Sequence, residues 1–597
     1  MPPVSVYRWW ARRTQAVNRA VIEAFEKDLP GERFLVVDPF SGGGVIPLTA
    51  VQMGHRTYAQ DLNPWAAHGL TAALCLPEAH VFDDALKHME AQVGPVVTKA
   101  YATSMADGEE ASIAHTFRVS SSVCVSCQSS VRHFPHSMVS LLVRKERGQP
   151  ECLLACPAGH IFAGAHDRPW DCPECSRRID GDVTYTRSRF IECWNCGTTA
   201  SLDAASTTSS WKWEVALVER VAGSRRELAV PRVEEVAQAD SGWEPTFDLG
   251  KIPDGSETDV LLRHGFQEWS DLYPARQRYV TEQLLKSVDS IEDSQTREAL
   301  RWAVLGTTEM AGLASRWDRW YLKSYETMAG HRFNFTTFAV EPNVWGTTAS
   351  GRGTLLRRGA QMRKAADWLH SLGHPLAKVI EPEDEGTADY DARVVCGSSE
   401  VLDISDRSIR LCLTDPPYHD DVQYGELSLP LRAWAGLNTD ELVGEAVVNG
   451  RTGQNSGAGE YRKLLAAIFG EVQKKLRTDG HLVFSYANRA PEAWVDLLEA
   501  LNDAGLRCAG YLMVHSENET DHAKRDVRAC TLDLLLDLVP ASGEPLTRWR
   551  PHVAIPSAEE EFLLVVGTYL WKLGSLKKGW QEKFVTELRL TRFLAKR

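Results

Sequence analysis

No apolar run in this 597-residue chain approaches the length of a membrane span, and no apolar segment leading to a cleavage site opens it. The first residues are instead basic and aromatic: Tyr7-Arg8-Trp9-Trp10-Ala11-Arg12-Arg13. The expectation is a cytoplasmic protein with no membrane partner. Excess positive charge is missing too. The net charge of −14 excludes a uniformly basic nucleic-acid coat, though not a local patch for phosphate. Two such patches are written in the chain: Arg352, Arg357, Arg358, Arg363 and Lys364, and Arg316, Arg319 and Lys323. Each reads equally well as a solvated face. Internal repeats and low-complexity tracts are absent. Cysteine is scarce outside one block: of 13 in the chain, eight lie between Cys124 and Cys196.

What is present is a globular composition, 43% hydrophobic and 24% charged, in a chain too long for one ordinary core. The pattern predicts a helix over Arg12 to Lys27, a strand over Phe34 to Val37, a glycine turn, a helix over Val45 to Met53 and a strand over Thr57 to Gln60. That is a β-turn-α-β unit, which implies a parallel sheet. Residues 266–326 read as helical. The acidic stretch Glu381 to Glu385 reads as a solvated loop. An α/β pattern resumes at 390–540, with strands over Arg393–Cys396, Ile409–Thr414, His481–Ser485 and Cys508–Val514, and helices over Tyr461–Leu476 and Pro491–Ala504. One sheet interrupted by some 300 residues points to an inserted functional domain rather than a loop.

The first strand ends in Asp38-Pro39-Phe40-Ser41-Gly42-Gly43-Gly44. Glycines here permit a tight turn and close backbone approach to a ligand. The next strand ends in Asp61-Leu62-Asn63-Pro64, and an acidic residue after a second strand suits ribose hydroxyls. No Lys follows the glycines as in a phosphate-binding loop, so an adenosyl group fits better than ATP. Candidate cofactor residues are Asp38, Phe40, Gly42, Gly44, Asp61 and Asn63. Ser398, after the strand ending at Cys396, is a candidate for the adenine.

The apolar run ending at Thr414 is followed by Asp415-Pro416-Pro417-Tyr418. An exocyclic amine on adenine or cytosine is a poor nucleophile, because its lone pair is delocalised into the ring. Acceptors that hold its two hydrogens ease attack on a sulfonium methyl group. Asp415 supplies a side-chain acceptor, and Pro416 and Pro417 a rigid turn presenting a carbonyl. Tyr418 suits stacking on a base taken out of the duplex. The two motifs together read as a methyltransferase that uses S-adenosylmethionine.

The cysteines point to metal. Cys172 and Cys175 with Cys193 and Cys196 have the spacing of a four-cysteine zinc ribbon. Cys124 and Cys127 form a second knuckle, with Cys156 and His160 as expected partners and Cys152 competing with His160. Two structural Zn2+ ions are therefore expected. Cys75, Cys396, Cys412, Cys508 and Cys530 read as core residues.

The segment Tyr7 to Arg13, with Arg19-Ala20-Val21, Asp38–Gly44, Asp61–Pro64 and the run Thr414 to Ser428, resembles the adenine-specific DNA methylases that contain zinc ribbons. Gly265-Phe266, Trp269 to Tyr273 and Arg276-Gln277 are also similar. The resemblance implies an α/β, Rossmann-like S-adenosylmethionine-dependent methyltransferase acting on adenine N6 in double-stranded DNA. It also implies target recognition by the insertion and, as in many such proteins, partners in restriction or phage defence. One departure is Leu429-Pro430-Leu431, where relatives often have Asp-Phe-Phe. Cytosine N4 or an RNA amine would use the same chemistry, and a non-catalytic nucleic-acid-binding protein could keep the fold. The expected organisation is 1–95 for the cofactor half, 115–215 for the zinc ribbons, 216–389 for a mainly helical insertion, 390–540 for the catalytic half and 541–597 for a helical extension. Trp9 and Trp10 either cover the ligands or anchor the core. Arg12 and Arg13 either meet a ligand anion or form a helix face.

Overall fold

A computed structural model describes the chain apart from residues 28–30, 187–188, 348–350, 373–378, 381–389, 421, 441, 450–456, 516–529, 543–548, 550, 552 and 596–597. The acidic stretch 381–385 and position 421 thus lie outside the described residues. The chain forms two units. The first comprises Met1–Leu76, Ala365–Ser428 and Leu437–Arg597; the second comprises Pro77–Lys364 with Leu429–Gly436.

The first unit is built on strands β1 (Leu35–Asp38), β2 (Arg56–Asp61), β3 (Ala392–Cys396), β4 (Ile409–Thr414), β5 (Leu476–Tyr486), β6 (Leu506–His515) and β7 (Leu532–Pro540). Their order in the sheet is β3-β2-β1-β4-β5-β7-β6, with the short Val379–Ile380 beyond β3. Strands β1 to β5 pair in parallel, while β7 runs antiparallel to both β5 and β6. The fold is mixed α/β. Continuous apolar runs such as Leu35-Val36-Val37 suit strands covered on both faces. Period-two alternation divides them. Val37, Cys412, Leu482 and Phe484 join the core formed by helices Ala458–Lys475, Pro491–Asp503, Ala558–Leu570 and Trp580–Arg589. Val36, Leu411, Leu413 and Val483 pack instead with Ile22 and Ile46, from helices Gln15–Glu26 and Val45–Gln52.

Two details differ from the sequence reading. The first helix starts at Gln15, because the Thr14 hydroxyl caps it by accepting the Ala16 amide at 3.3 Å. Arg12 and Arg13 therefore precede the helix. Strand β7 was not anticipated.

The second unit holds an antiparallel sheet in the order Arg225–Ala229, Lys212–Ala222, Glu110–Val123, Phe338–Pro342, Arg316–Asp318, Lys323–Tyr325. The expected boundary at 215/216 falls inside the strand Lys212–Ala222, so the residues on either side of it share one sheet. Segment 216–389 does contain helices, Ala275–Asp289 and Ser294–Leu305 among them, but it also contributes four strands to this sheet. Beneath the sheet, Glu341 is buried between two arginines: Arg118 Nε lies 2.7 Å and Arg276 Nε 2.9 Å from its carboxylate. Burial favours the neutral acid, but Arg276 and Arg118 outweigh it and hold the Glu341 pKa below its ordinary value.

Candidate functional site

Three strands of the first unit end in carboxylates: β1 in Asp38, β2 in Asp61, and β4 just before Asp415. Pairing of β1 with both β2 and β4 brings these ends together. The Thr414 hydroxyl donates to Asp38 Oδ1 at 2.7 Å, and the Phe40 amide to the same oxygen at 3.2 Å. The Gly42 amide donates to Asp61 Oδ2 and the Asn63 amide to Asp61 Oδ1, both at 2.8 Å. Burial pushes the Asp38 pKa up to about 7 against these bonds, and that of Asp61 up to about 6. Asp415 is likewise raised by burial, with Arg13 pulling it down. Three carboxylates resisting ionisation in one place form a site that a cationic ligand would relieve.

The glycine turn has the expected positive φ, 40° at Gly42 and 72° at Gly44. Its close neighbours are the chain's own N-terminal residues. A Cβ at Gly42 would lie 2.6 Å from Trp9 Nε1, one at Gly43 2.5 Å from Arg12 Cγ, and one at Gly44 2.9 Å from the Tyr7 hydroxyl. That hydroxyl donates to the Gly42 carbonyl at 2.7 Å. Trp9 stacks on Tyr424 at 4.9 Å and 6°. Trp9 and Trp10 are buried, so the aromatic pair serves as core and as cover for the turn at once. Two polar atoms here, Ser41 Oγ and Trp10 Nε1, are buried with no hydrogen-bond partner among the described residues. Orphaned groups of this kind call for a ligand or water.

At the other motif, Asp415 Oδ1 accepts from Arg13 Nε at 3.0 Å, the Tyr418 hydroxyl at 3.0 Å and the Ser485 hydroxyl at 3.2 Å. Arg13 also pairs with Asp533 on β7, and its guanidinium sits 4.8 Å from the centre of the Tyr418 ring. The Pro417 carbonyl is taken by Tyr461 at 3.0 Å. Among the described residues no donor reaches Asp415 Oδ2 or the Pro416 carbonyl. Two acceptors are thus open at the strand end, the number an amino group's two hydrogens require.

Other expected site residues are committed elsewhere. Asn63 Oδ1 caps the helix Pro64–Leu74 through the Trp65 amide, and its Nδ2 donates to Ser428. The Ser398 hydroxyl donates to Glu400, whereas the neighbouring Ser399 hydroxyl reaches the Pro39 carbonyl of the glycine motif at 2.7 Å. Sequence reasoning missed Ser485, Asp533 and Tyr461. A serine, an aspartate and a tyrosine in strands and a helix carry no motif, and only the sheet order joins them to Asp415.

In the second unit the cysteines converge into two sets, but not the expected ones. Cys124 and Cys127 meet Cys193 and Cys196; Cys156 and His160 meet Cys172 and Cys175. This corrects the assignment of Cys172, Cys175, Cys193 and Cys196 to one ribbon. Each knuckle pairs across the sequence instead. The first follows the strand Glu110–Val123 and is joined to the last, while the two middle pairs close on each other. His160, not Cys152, completes the second set; Cys152 is buried in the strand Glu151–Ala155.

Sulfur separations are 3.7 Å for Cys124–Cys196, 3.6 Å for Cys127–Cys193 and 3.8 Å for Cys156–Cys175, and His160 Nδ1 lies 3.5 Å from the Cys156 sulfur. A tetrahedron with metal–sulfur bonds of about 2.3 Å has edges near 3.8 Å, so both sets can hold a structural metal ion. His160 Nε2 faces Glu174 at 3.6 Å, an outer carboxylate that fixes the ring. Outside these sets Cys412 and Cys508 are buried, but Cys396 is exposed at its strand end rather than in the core.

No family model, curated protein or solved structure matches the chain. Function therefore has to be argued from the geometry itself. No helix among the described residues is long and apolar enough to cross a membrane.

Proposed function

We propose that this protein is a Rossmann-like, S-adenosylmethionine-dependent methyltransferase acting on the N6 amine of adenine in DNA. The observation that carries the reading is the adjacency of β1 and β4. Strands β1 to β6 follow the doubly wound order 3-2-1-4-5-6, with the reversed β7 inserted between β5 and β6. In such sheets ligands bind beyond the carboxyl ends at the point where the order reverses, here between β1 and β4. The two motifs lie at that point.

Bound there, S-adenosylmethionine would supply an electrophilic methyl group on a positively charged sulfur. Asp38 and Asp61, raised by burial, suit a cation, and Asp61 at the end of β2 suits the ribose. Ser41 and Trp10 offer unsatisfied polar atoms for the remainder. Asp415 Oδ2 and the Pro416 carbonyl hold the two amine hydrogens and orient the nitrogen lone pair. Arg13, Tyr418 and Ser485 fix the Asp415 carboxylate through its other oxygen. Zn2+ fits both ligand sets, and since each supplies four protein ligands, ions held there would be structural.

The test is mass spectrometry of modified nucleosides from cells expressing the chain or its Asp415→Ala variant. N6-methyladenine in DNA that depends on Asp415 is the expected product. N4-methylcytosine, or methylated RNA alone, would change the substrate and keep the chemistry. No methylated nucleoside dependent on Asp415 would refute the proposal.

A further inference from the structure

The hairpin formed by Arg316–Asp318 and Lys323–Tyr325 gathers charge in an unusual way. Three cations surround the ring of Tyr325: Arg316 at 5.9 Å, Lys323 at 5.1 Å and Arg352 at 5.7 Å from its centre. Arg352, from a distant segment, is anchored by donating to the Ser324 carbonyl at 3.0 Å. Among the described residues none of the three forms an ion pair. The hairpin's own carboxylate is engaged otherwise: Asp318 Oδ1 accepts the Trp320 and Tyr321 amides, and Oδ2 accepts the Tyr325 hydroxyl at 3.2 Å. Arg316 Nε is buried without a partner among the described residues.

On the other strands of this sheet Arg118, Arg220, Arg225 and Arg226 pair with carboxylates, as does Arg276 beneath it. Acidic residues outnumber basic ones, 80 to 66, so carboxylates to neutralise the hairpin were not scarce. Lys323 also lies 5.6 Å from the ring of Tyr321, which is exposed at the turn.

We infer that this hairpin, with Arg352, is a surface that grips the phosphate backbone of a nucleic-acid strand, and that Tyr321 offers its face to an unpaired base. Guanidinium and ammonium groups held around a ring, with an exposed aromatic beside them, match the alternation of phosphate and base along a strand. The inference rests on the nucleic-acid part of the proposed function, not on its methyl-transfer part.

The experiment measures binding of labelled duplex DNA, single-stranded DNA and RNA to the zinc-loaded full chain across a salt series. Lys323→Gln with Arg352→Gln should make the plot of log affinity against log salt shallower by roughly two for duplex DNA, and lower affinity about tenfold or more at low salt. Tyr321→Ala should weaken single-strand binding about tenfold and change the salt slope little. Arg225→Gln, on an arginine already paired with Asp107 and Glu109, should change nothing. Should the double variant lose zinc, Lys323→Gln alone should still lower the slope by about one. An unchanged slope, or a wild type that binds no nucleic acid, overturns the inference. The stated slope changes in a protein that transfers no methyl group would overturn the proposed reaction and leave the hairpin's role standing.

Discussion

Replacing Cys172 and Cys193 together discriminates the crossed metal sets from a ribbon of consecutive pairs. In the structure Cys193 belongs with Cys124, and Cys172 with Cys156. Each single Cys→Ser change should therefore release one zinc of two, and the double variant should hold none. Were Cys172 and Cys193 ligands of one ion, the double variant would keep one zinc, the same as either single. The energetic cost should differ as well. One set closes residues 124–196 and the other residues 156–175, loops of roughly 70 and 20 residues. On the chain-entropy scale for cross-links these closures are worth about 4 and about 3 kcal/mol. Cys193→Ser should thus loosen the second unit more than Cys172→Ser, and leave the inner set metal-loaded because it lies within the longer loop. Elemental analysis gives the zinc count, and denaturant unfolding gives the relative cost. One zinc retained in the double variant would refute the crossed arrangement.

Three further outcomes rest on single contacts. Gly44→Ala forces a Cβ into left-handed backbone, 2.7 Å from Leu70 Cδ1 and 2.9 Å from the Tyr7 hydroxyl. It should cost about 1–2 kcal/mol for the backbone alone, read as a lower unfolding midpoint; an unchanged midpoint would contradict the turn. Asp38 has a folded pKa of about 7, above the ordinary carboxylate value near 4 of the unfolded chain, so between the two the native state holds the extra proton. Its contribution is fully present below about pH 4 and falls by roughly 1.4 kcal/mol per pH unit until pH 7. Asp38→Asn should remove that slope, and parallel denaturant midpoints at pH 5 and pH 8 for both proteins would exclude it. Glu341→Gln leaves Arg118 and Arg276 buried with less charge compensation and should cost about 3–5 kcal/mol in chemical unfolding; a loss under about 1 kcal/mol would show the pair to be solvated.

The parallel strands were most legible where a short apolar run ends in a turn signal, as in Leu35–Asp38 and Ile409–Thr414. Ile409–Thr414 was expected over the residues it occupies. The metal ligands were legible by type, since seven of the eight clustered cysteines sit in knuckles, with His160 completing the last one. Their partners were not: spacing within a knuckle says nothing about which knuckle it faces, and only the strands between them decide that. Strand β7 comes after a stretch without pattern. Two of the strands in 216–389, Arg316–Asp318 and Lys323–Tyr325, were hidden because they are three residues each, too short to show a period. Arg13 read equally as meeting a ligand anion or as part of a helix face. The Thr14 cap moves it off the helix and onto Asp415, a relation between residues some 400 positions apart that no local pattern encodes.

The pairing of β1 with β4 also has a consequence in time. On the ribosome, Leu35–Asp38 emerges long before Ile409–Thr414, its neighbour in the sheet. At about 5–20 residues per second, the interval is on the order of half a minute. Meanwhile almost all of the second unit, Pro77–Lys364, is synthesised without interruption and has most of its own strand partners. The inserted unit can close first, while the opening β-turn-α-β segment waits with the β4-facing edge of β1 unpaired. In a cell, the nascent chain's need for a chaperone should therefore centre on its first 76 residues.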